Sequence, residues 1–313
     1  METVRIPNAA TYSPIPLADF IAVAPLATRV LIGVSPLGRA VQMAAMGAYA
    51  GSALIDWMER RGIRRVDFVQ EFGADVTQLD EMPAARRLED MAALADRLNE
   101  GFTSERRSRE KLAEEVDHHL TSTIASMTQQ RIETSLEIRS FGLASLVFPF
   151  AVGSCDILSG DVALYRDTGF FEPHVIAHEF CHRKGYWKEL HAQVLAYIAL
   201  ARSGDPLLVQ SALIERLHRN MKVIADENRE RYFELLQECK LQPELDASMS
   251  ALWPEPGGQL AKGVADTMKS VYDQRMRLTG QNGISDYDRG FTNFLYTFEQ
   301  SADARQNAET LAL

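Results

Sequence analysis

Residues 173–184 read PHVIAHEFCHRK, with Gly185 following at once. Proline suits the first turn of a helix, where its missing N–H has no intrahelical partner to lose, and glycine suits the position just past the end. Pro173–Lys184 is therefore expected to be one helix of about three turns. At about 100° per residue, His178 and His182 are offset by roughly 40°, and Glu179 lies roughly 60° from His182. Two imidazoles and a carboxylate then share one side, the arrangement of two metal ligands with a base beside an activated water. With 7 histidines in 313 residues, an HExxH pattern arises by chance on the order of once in a hundred such chains. The plain alternative is an amphipathic helix whose histidines are merely hydrogen-bonded.

A catalytic zinc keeps three protein ligands and an open position, so a third donor must come from elsewhere. The spacing HExxHxxGxxH would put it at position 188, which is a lysine. A second helix is expected from about Trp187 to Ala201, and its first turns offer Glu189 and His191. A tight reversal at Gly185 brings either residue back toward the first pair. His174, one turn before His178, either lines the cleft or contacts solvent or a backbone group. Cys181 reads as a small core residue.

Around this centre the texture changes twice. Ile132 to Ile138 and Asp161 to Tyr165 alternate β-branched or aromatic residues with polar ones and read as strands. The second is expected to be an edge along which an extended peptide can lie by strand addition. From Glu172 onward the pattern is helical, broken at Gly185, at 203–206, at 253–258 and at 280–283. Upstream, Met82 to Asn99 repeats apolar residues at helical spacing (Leu88, Met91, Leu94, Leu98), and Glu105 to Gln130 is a long, highly charged helix with a solvated face. His118 and His119 lie on it, about 100° apart, which is poor chelating geometry. Arg60 to Arg65 reads as a short basic turn.

Residues 1–65 form an amino-terminal apolar helical region, and 66–313 the domain that carries the motif. Between Leu17 and Trp57 the apolar stretch is divided by Asp19, Arg29 and Arg39. Its longest uncharged run, Ala40 to Ile55, is shorter than the roughly 20 residues that span a bilayer. Buried or partner-facing helices are expected, with Met43 and Met46 in a core stripe; a peripheral, non-spanning membrane contact is the alternative.

Composition bounds the rest. The chain is 46% hydrophobic and 24% charged, as ordinary globular proteins are, and its net charge of −10 argues against a nucleic-acid partner. Cys155, Cys181 and Cys239 make no CxxC pair and fit a reducing compartment. The amino terminus has no secretory pattern, so a cytoplasmic location is expected. Nothing in the pattern reports oligomeric state.

Two stretches, HEFCHRKGYWKELHAQVLAYIAL (178–200) and VYDQRMRLTGQNGISDYDRGFTNFL (271–295), resemble the bacterial zincin-like family called domain of unknown function 3810. The resemblance extends over about Arg86 to Phe298 and is thin between the two motifs. It implies an α+β, mainly α, zincin-like metalloprotease domain in which a small sheet precedes the HExxH helix. It also implies a zinc-dependent peptidase or peptidase-like hydrolase acting on a peptide or protein substrate.

By position, His178 and His182 match the histidine ligands and Glu179 the general base. His191 stands where the family has the glutamate of a Glu-Ala-Asn start, followed by Ala192 and by Gln193 in place of Asn. The resemblance therefore favours His191 as third ligand, with Glu189 as the alternative. Tyr287 and Arg289, in the closing segment, are candidates for oxyanion or substrate-carboxylate contacts, and Tyr272 and Asp273 for supporting roles. The family is usually anchored in a membrane at its amino terminus, and this chain is expected to depart from that pattern, because its apolar stretch offers no convincing span. Three neutral histidines would leave the site at +2, where a glutamate would give +1. Such a site also suits Fe2+ and oxidative chemistry, and a catalytically inactive, metal-stabilised binding protein is the non-enzyme alternative.

Overall fold

The computed structural model describes residues 1–6, 36–140, 152–155, 160–253, 263, 269–270, 272–274, 276–278 and 280–301. The apolar residues of 17–35 and the Met46 side chain lie outside it. In chain order the elements are β1 (Glu2–Arg5), α1 (Pro36–Glu59), a single 3-10 turn at Arg60–Gly62, α2 (Phe68–Phe72), α3 (Ala84–Glu100) and α4 (Arg109–Thr128). Four short strands follow, β2 (Gln130–Glu133), β3 (Ile138–Ser140), β4 (Gly153–Cys155) and β5 (Val162–Leu164). The remainder is helical: α5 (Glu172–Arg183), α6 (Glu189–Ala201), α7 (Pro206–Ala225), α8 (Arg229–Glu238), α9 (Pro243–Ala251) and α10 (Arg289–Gln300). The fold is thus mainly helical with small sheets.

The centre of the molecule is α6. Its sequence, ELHAQVLAYIALA, is apolar all round from Val194 onward, and a helix without a polar stripe has to be buried on every side. It packs against α5, α7, α4 and α10, and every residue of it but His191 is buried. α5, the HExxH helix, is buried along its whole length and packs between α6, α4 and α7. α4 is less solvated than its charge suggests: Leu112, Val116, Leu120 and Ile124, at four-residue spacing, all face the core. On α3, Met91, Leu94 and Leu98 are buried as the periodicity predicts, but Leu88 is exposed.

The larger sheet has the order β3-β5-β4, with β5 parallel to β3 and antiparallel to β4. The stretch 161–165, expected at an edge, therefore supplies the central strand. Val162, Ala163 and Leu164 are buried, both sides of the strand are paired, and no edge is left there for a peptide. β1 pairs in parallel with β2, and Ile6 enters the same core as Ile63, Val66 and the α5 and α6 residues.

The basic stretch at 60–65 holds a 3-10 turn and is exposed at Arg61, Gly62, Arg64 and Arg65 but anchored inward at Arg60 and Ile63. Arg60 is buried and donates through Nε to the Arg183 carbonyl at 2.9 Å, and Arg65 donates through Nη1 to the Gly185 carbonyl. The last carbonyls of a helix have no intrahelical partner, so the Arg60 guanidinium closes the end of the HExxH helix while Arg65 holds the turn just beyond it. On α1, Met43 is 74% exposed rather than in a core, and Leu54, Ile55 and Met58 are exposed with it. Among the described residues, no helix is long and apolar enough to cross a membrane.

Candidate metal centre

Gly185 makes the reversal that the sequence calls for. Its φ of +91° lies in the left-handed region that side chains disfavour, and an added Cβ would meet Arg65 and Ile63 at 3.1 Å. Its N–H donates to the His182 carbonyl and that of Tyr186 to the Cys181 carbonyl, which folds the chain back so that α6 begins beside α5.

The residue this reversal brings to the histidine pair is Glu189. His178 Nε2, His182 Nε2 and Glu189 Oε2 lie 3.1 Å from one another, and all three side chains are buried. His191, two residues further along, faces away. Its ring stacks on Phe68 with centroids 4.2 Å apart, and its Nε2 is buried without a hydrogen-bond partner. The preference for His191 over Glu189 at the cluster is corrected accordingly, and with it goes the three-histidine set.

The triangle fits a cation. His182 Nδ1 lies 2.7 Å from the Tyr186 carbonyl, an acceptor, so Nδ1 carries a proton and Nε2 is the nitrogen that a metal would take once its own proton is displaced. Two imidazole nitrogens and a carboxylate oxygen, the donor types that zinc takes, thus lie at the corners of one small triangle. A regular tetrahedron built on a triangle of 3.1 Å edges has its centre about 1.9 Å from each corner, close to the roughly 2.0–2.2 Å of zinc bonds to nitrogen and oxygen.

The electrostatics of the metal-free cluster follow from its burial. Desolvation lowers His178 to about 4, which leaves that ring neutral. Desolvation would lower His182 too, but the Glu189 and Glu179 carboxylates and the Tyr186 carbonyl carry it up to about 9. Burial would raise Glu189, yet His182 and His178 hold it well below the usual carboxylate range. Glu179 is raised to about 8 by burial, with Glu189 adding to the rise and His182 and Arg183 opposing it.

Two tyrosines close the far side. Tyr272 donates its hydroxyl to Glu189 Oε1, the oxygen turned away from the histidines, and lies 3.2 Å from the Tyr287 hydroxyl. The Tyr287 ring centroid is 6.0 Å from that of His178, and burial with the nearby Glu189 charge keeps its phenol protonated. Arg289 is elsewhere. It is exposed and lies 3.6 Å from Glu81, so the structure does not bring it to the cluster. Asp273 is spent on its own loop, accepting from Arg277 and from the Ile284 N–H.

His174 neither faces solvent nor joins the triangle. It is buried, stacks on Phe171 and places Nε2 3.4 Å from Glu215. Glu215, which no local pattern singled out, accepts from Gln193 and Arg219; Gln193 also donates to the Tyr287 carbonyl, and Arg219 to Asp288. This network fixes the backbone at Tyr287. Trp187 is a further unforeseen neighbour, its ring nearly parallel to that of His182 with centroids 6.0 Å apart. Glu215 and Arg219 are an i,i+4 pair and Trp187 is five residues from His182, but His174–Glu215, Gln193–Glu215, Gln193–Tyr287 and Arg219–Asp288 join residues far apart in sequence, where no spacing rule reaches. His118 and His119 lie against each other on α4, with His118 exposed.

Residues 167–296, under half of the chain, match the family described as "Protein of unknown function (DUF3810)". The matched stretch includes His178, Glu179, His182, Glu189, Tyr272 and Tyr287. No curated protein and no solved structure matches the chain.

Proposed function

We propose that this chain is a zinc-dependent peptidase or peptidase-like hydrolase of zincin-like architecture, with His178, His182 and Glu189 as ligands and Glu179 as general base. The observation that carries the reading is the triangle of three buried donor atoms with a second buried carboxyl, Glu179, on the same helix. When bound, the metal would polarise the scissile carbonyl and make an attacking water more acidic.

The chain's own groups supply the rest. Glu179 takes the proton of the attacking water and delivers it to the departing amine; burial raises its proton affinity, to about 8 in the metal-free cluster, and a bound cation nearby would lower it toward the working range of a base. Tyr287 keeps its phenolic proton and donates it as a hydrogen bond to the oxyanion. Burial of the whole cluster excludes bulk water, so each of these contacts acts in a medium of low polarity.

Metal analysis of protein purified without added metal is expected to find stoichiometric zinc, and His178→Ala is expected to lose it. Glu179→Gln should lower peptide hydrolysis by about 10²–10⁴-fold while retaining the metal. A peptide-library digest read by mass spectrometry supplies the substrate. Two histidines and a carboxylate are also a donor set of non-haem iron, so iron in place of zinc would overturn the hydrolytic reading. Stoichiometric zinc with no cleavage in the digest would favour a metal-stabilised binding protein.

A further inference from the structure

The segment from Tyr272 to Tyr287 grips Glu189 at more than one point. Tyr272 donates its hydroxyl to Glu189 Oε1, and Tyr287 stands behind it, hydroxyl to hydroxyl at 3.2 Å. Gln281, between them in sequence, accepts the Glu189 backbone N–H on its side-chain oxygen at 2.8 Å. That N–H belongs to the first turn of α6, where the N-cap residue, Lys188, supplies no side-chain hydrogen bond. The same segment thus holds both the backbone and the carboxylate of one residue.

It is also built to hold its own shape. Asp273 accepts from the Ile284 N–H, and Asp286 accepts from the backbone and side chain of Asn282. Gly283, at φ +89°, leaves room for the Asp273 carboxylate where a Cβ would collide with it.

We infer that this segment is a clamp that makes Glu189 a one-oxygen donor, with Tyr272 as the positioning residue. The inference rests on the metal reading above. With Oε1 engaged by the Tyr272 hydroxyl, Oε2 alone faces the two histidines, and a bound metal keeps a position open for water and substrate. Without that hydroxyl, Glu189 keeps on this side only its interaction with Tyr287, and Oε1 would be able to swing toward a bound metal and fill that position. The hairpin of α5 and α6 supplies all three ligands, but the closing segment decides how the third one binds.

The test compares wild type with Tyr272→Phe in the full chain. Zinc affinity is measured by competition with a chromophoric chelator, cobalt-substituted protein by its visible d–d absorption, and the metal-free fold by thermal denaturation. Tyr272→Phe is expected to bind zinc about 10–100-fold more weakly, the range for losing a hydrogen bond to a ligand. The same change should dim the cobalt d–d bands, because a second carboxylate oxygen raises the coordination number. The metal-free melting temperature should change little, which separates positioning from a structural role.

Wild-type affinity and spectrum in Tyr272→Phe, with the wild type binding metal, would overturn the clamp alone. A wild type that binds no metal would overturn the metal reading and the clamp together. Should Tyr272→Phe not fold, Gln281→Leu loosens Glu189 from the same segment, and an unchanged zinc affinity there overturns the clamp.

Discussion

Glu189 and His191 are two residues apart on one helix, hence about 200° apart around its axis, so at most one of them can face α5. The structure puts Glu189 there and stacks His191 on Phe68. On the proposed ligand set, Glu189→Ala should therefore reduce zinc affinity by more than about 100-fold, since it would remove a ligand rather than its support. His191→Phe should leave it unchanged; a loss of metal there would show that the wrong face has been assigned. The first two donors were legible because HExxH is local: helical geometry alone places them together. The third was not. In the first turns of α6 polar residues stand on opposite sides, Glu189 and Gln193 on one and His191 on the other, so its sequence does not say which side meets α5. Glu179 sits beside the pair by position on the same helix; Tyr272 enters the sequence reading only through the family resemblance, and Gln281, ninety-two residues from Glu189, not at all.

At the scale of elements, punctuation was easier to read than partnership. Proline near the start of α5 and glycine after its end set that helix to within a residue of its observed limits. Gly185→Ala should cost about 1–3 kcal/mol, because the left-handed φ and the crowding by Arg65 and Ile63 act together. Thermal denaturation of the metal-free protein checks this, and an unchanged melting temperature would mean that the reversal is not under strain. What closes the end of α5 was hidden, since Arg60 lies more than a hundred residues upstream and reads locally as part of a basic turn. The strand at 162–164 was recognised as a strand but misplaced as an edge. Alternation reports a pleat, and its neighbours β3 and β4 are too short for sequence to rank one as outer and the other as inner.

For the molecule as a whole, burial of titratable groups sets its response to acid. His218 is pushed down to about 3, chiefly by burial and then by the Arg219 and Lys222 charges. An unfolded histidine titrates near 6.5, so the stability tied to a neutral His218 is full above about pH 6.5 and lost as pH falls toward 3. Burial would raise Glu215 and Asp288, but Arg219 is among the charges that hold both below the usual range. Their contribution is present above about pH 4 and lost as pH falls through their folded values. Denaturant unfolding of the metal-free protein should therefore show stability declining below about pH 6.5 and more steeply below about pH 4. His218→Asn should flatten the first part by up to about 1.4 kcal/mol per pH unit, and an unaltered slope would remove His218 from the account. Trp187 has a consequence of a different kind. Its indole lies flat beside the His182 ring, whereas the chain's two other tryptophans, Trp57 and Trp253, make their ring contacts with Arg61, Tyr232 and Lys222. The molecule thus carries an optical gauge of its own occupancy: copper or cobalt at the cluster should quench the Trp187 emission, zinc should leave it bright, and Trp187→Phe should abolish the difference.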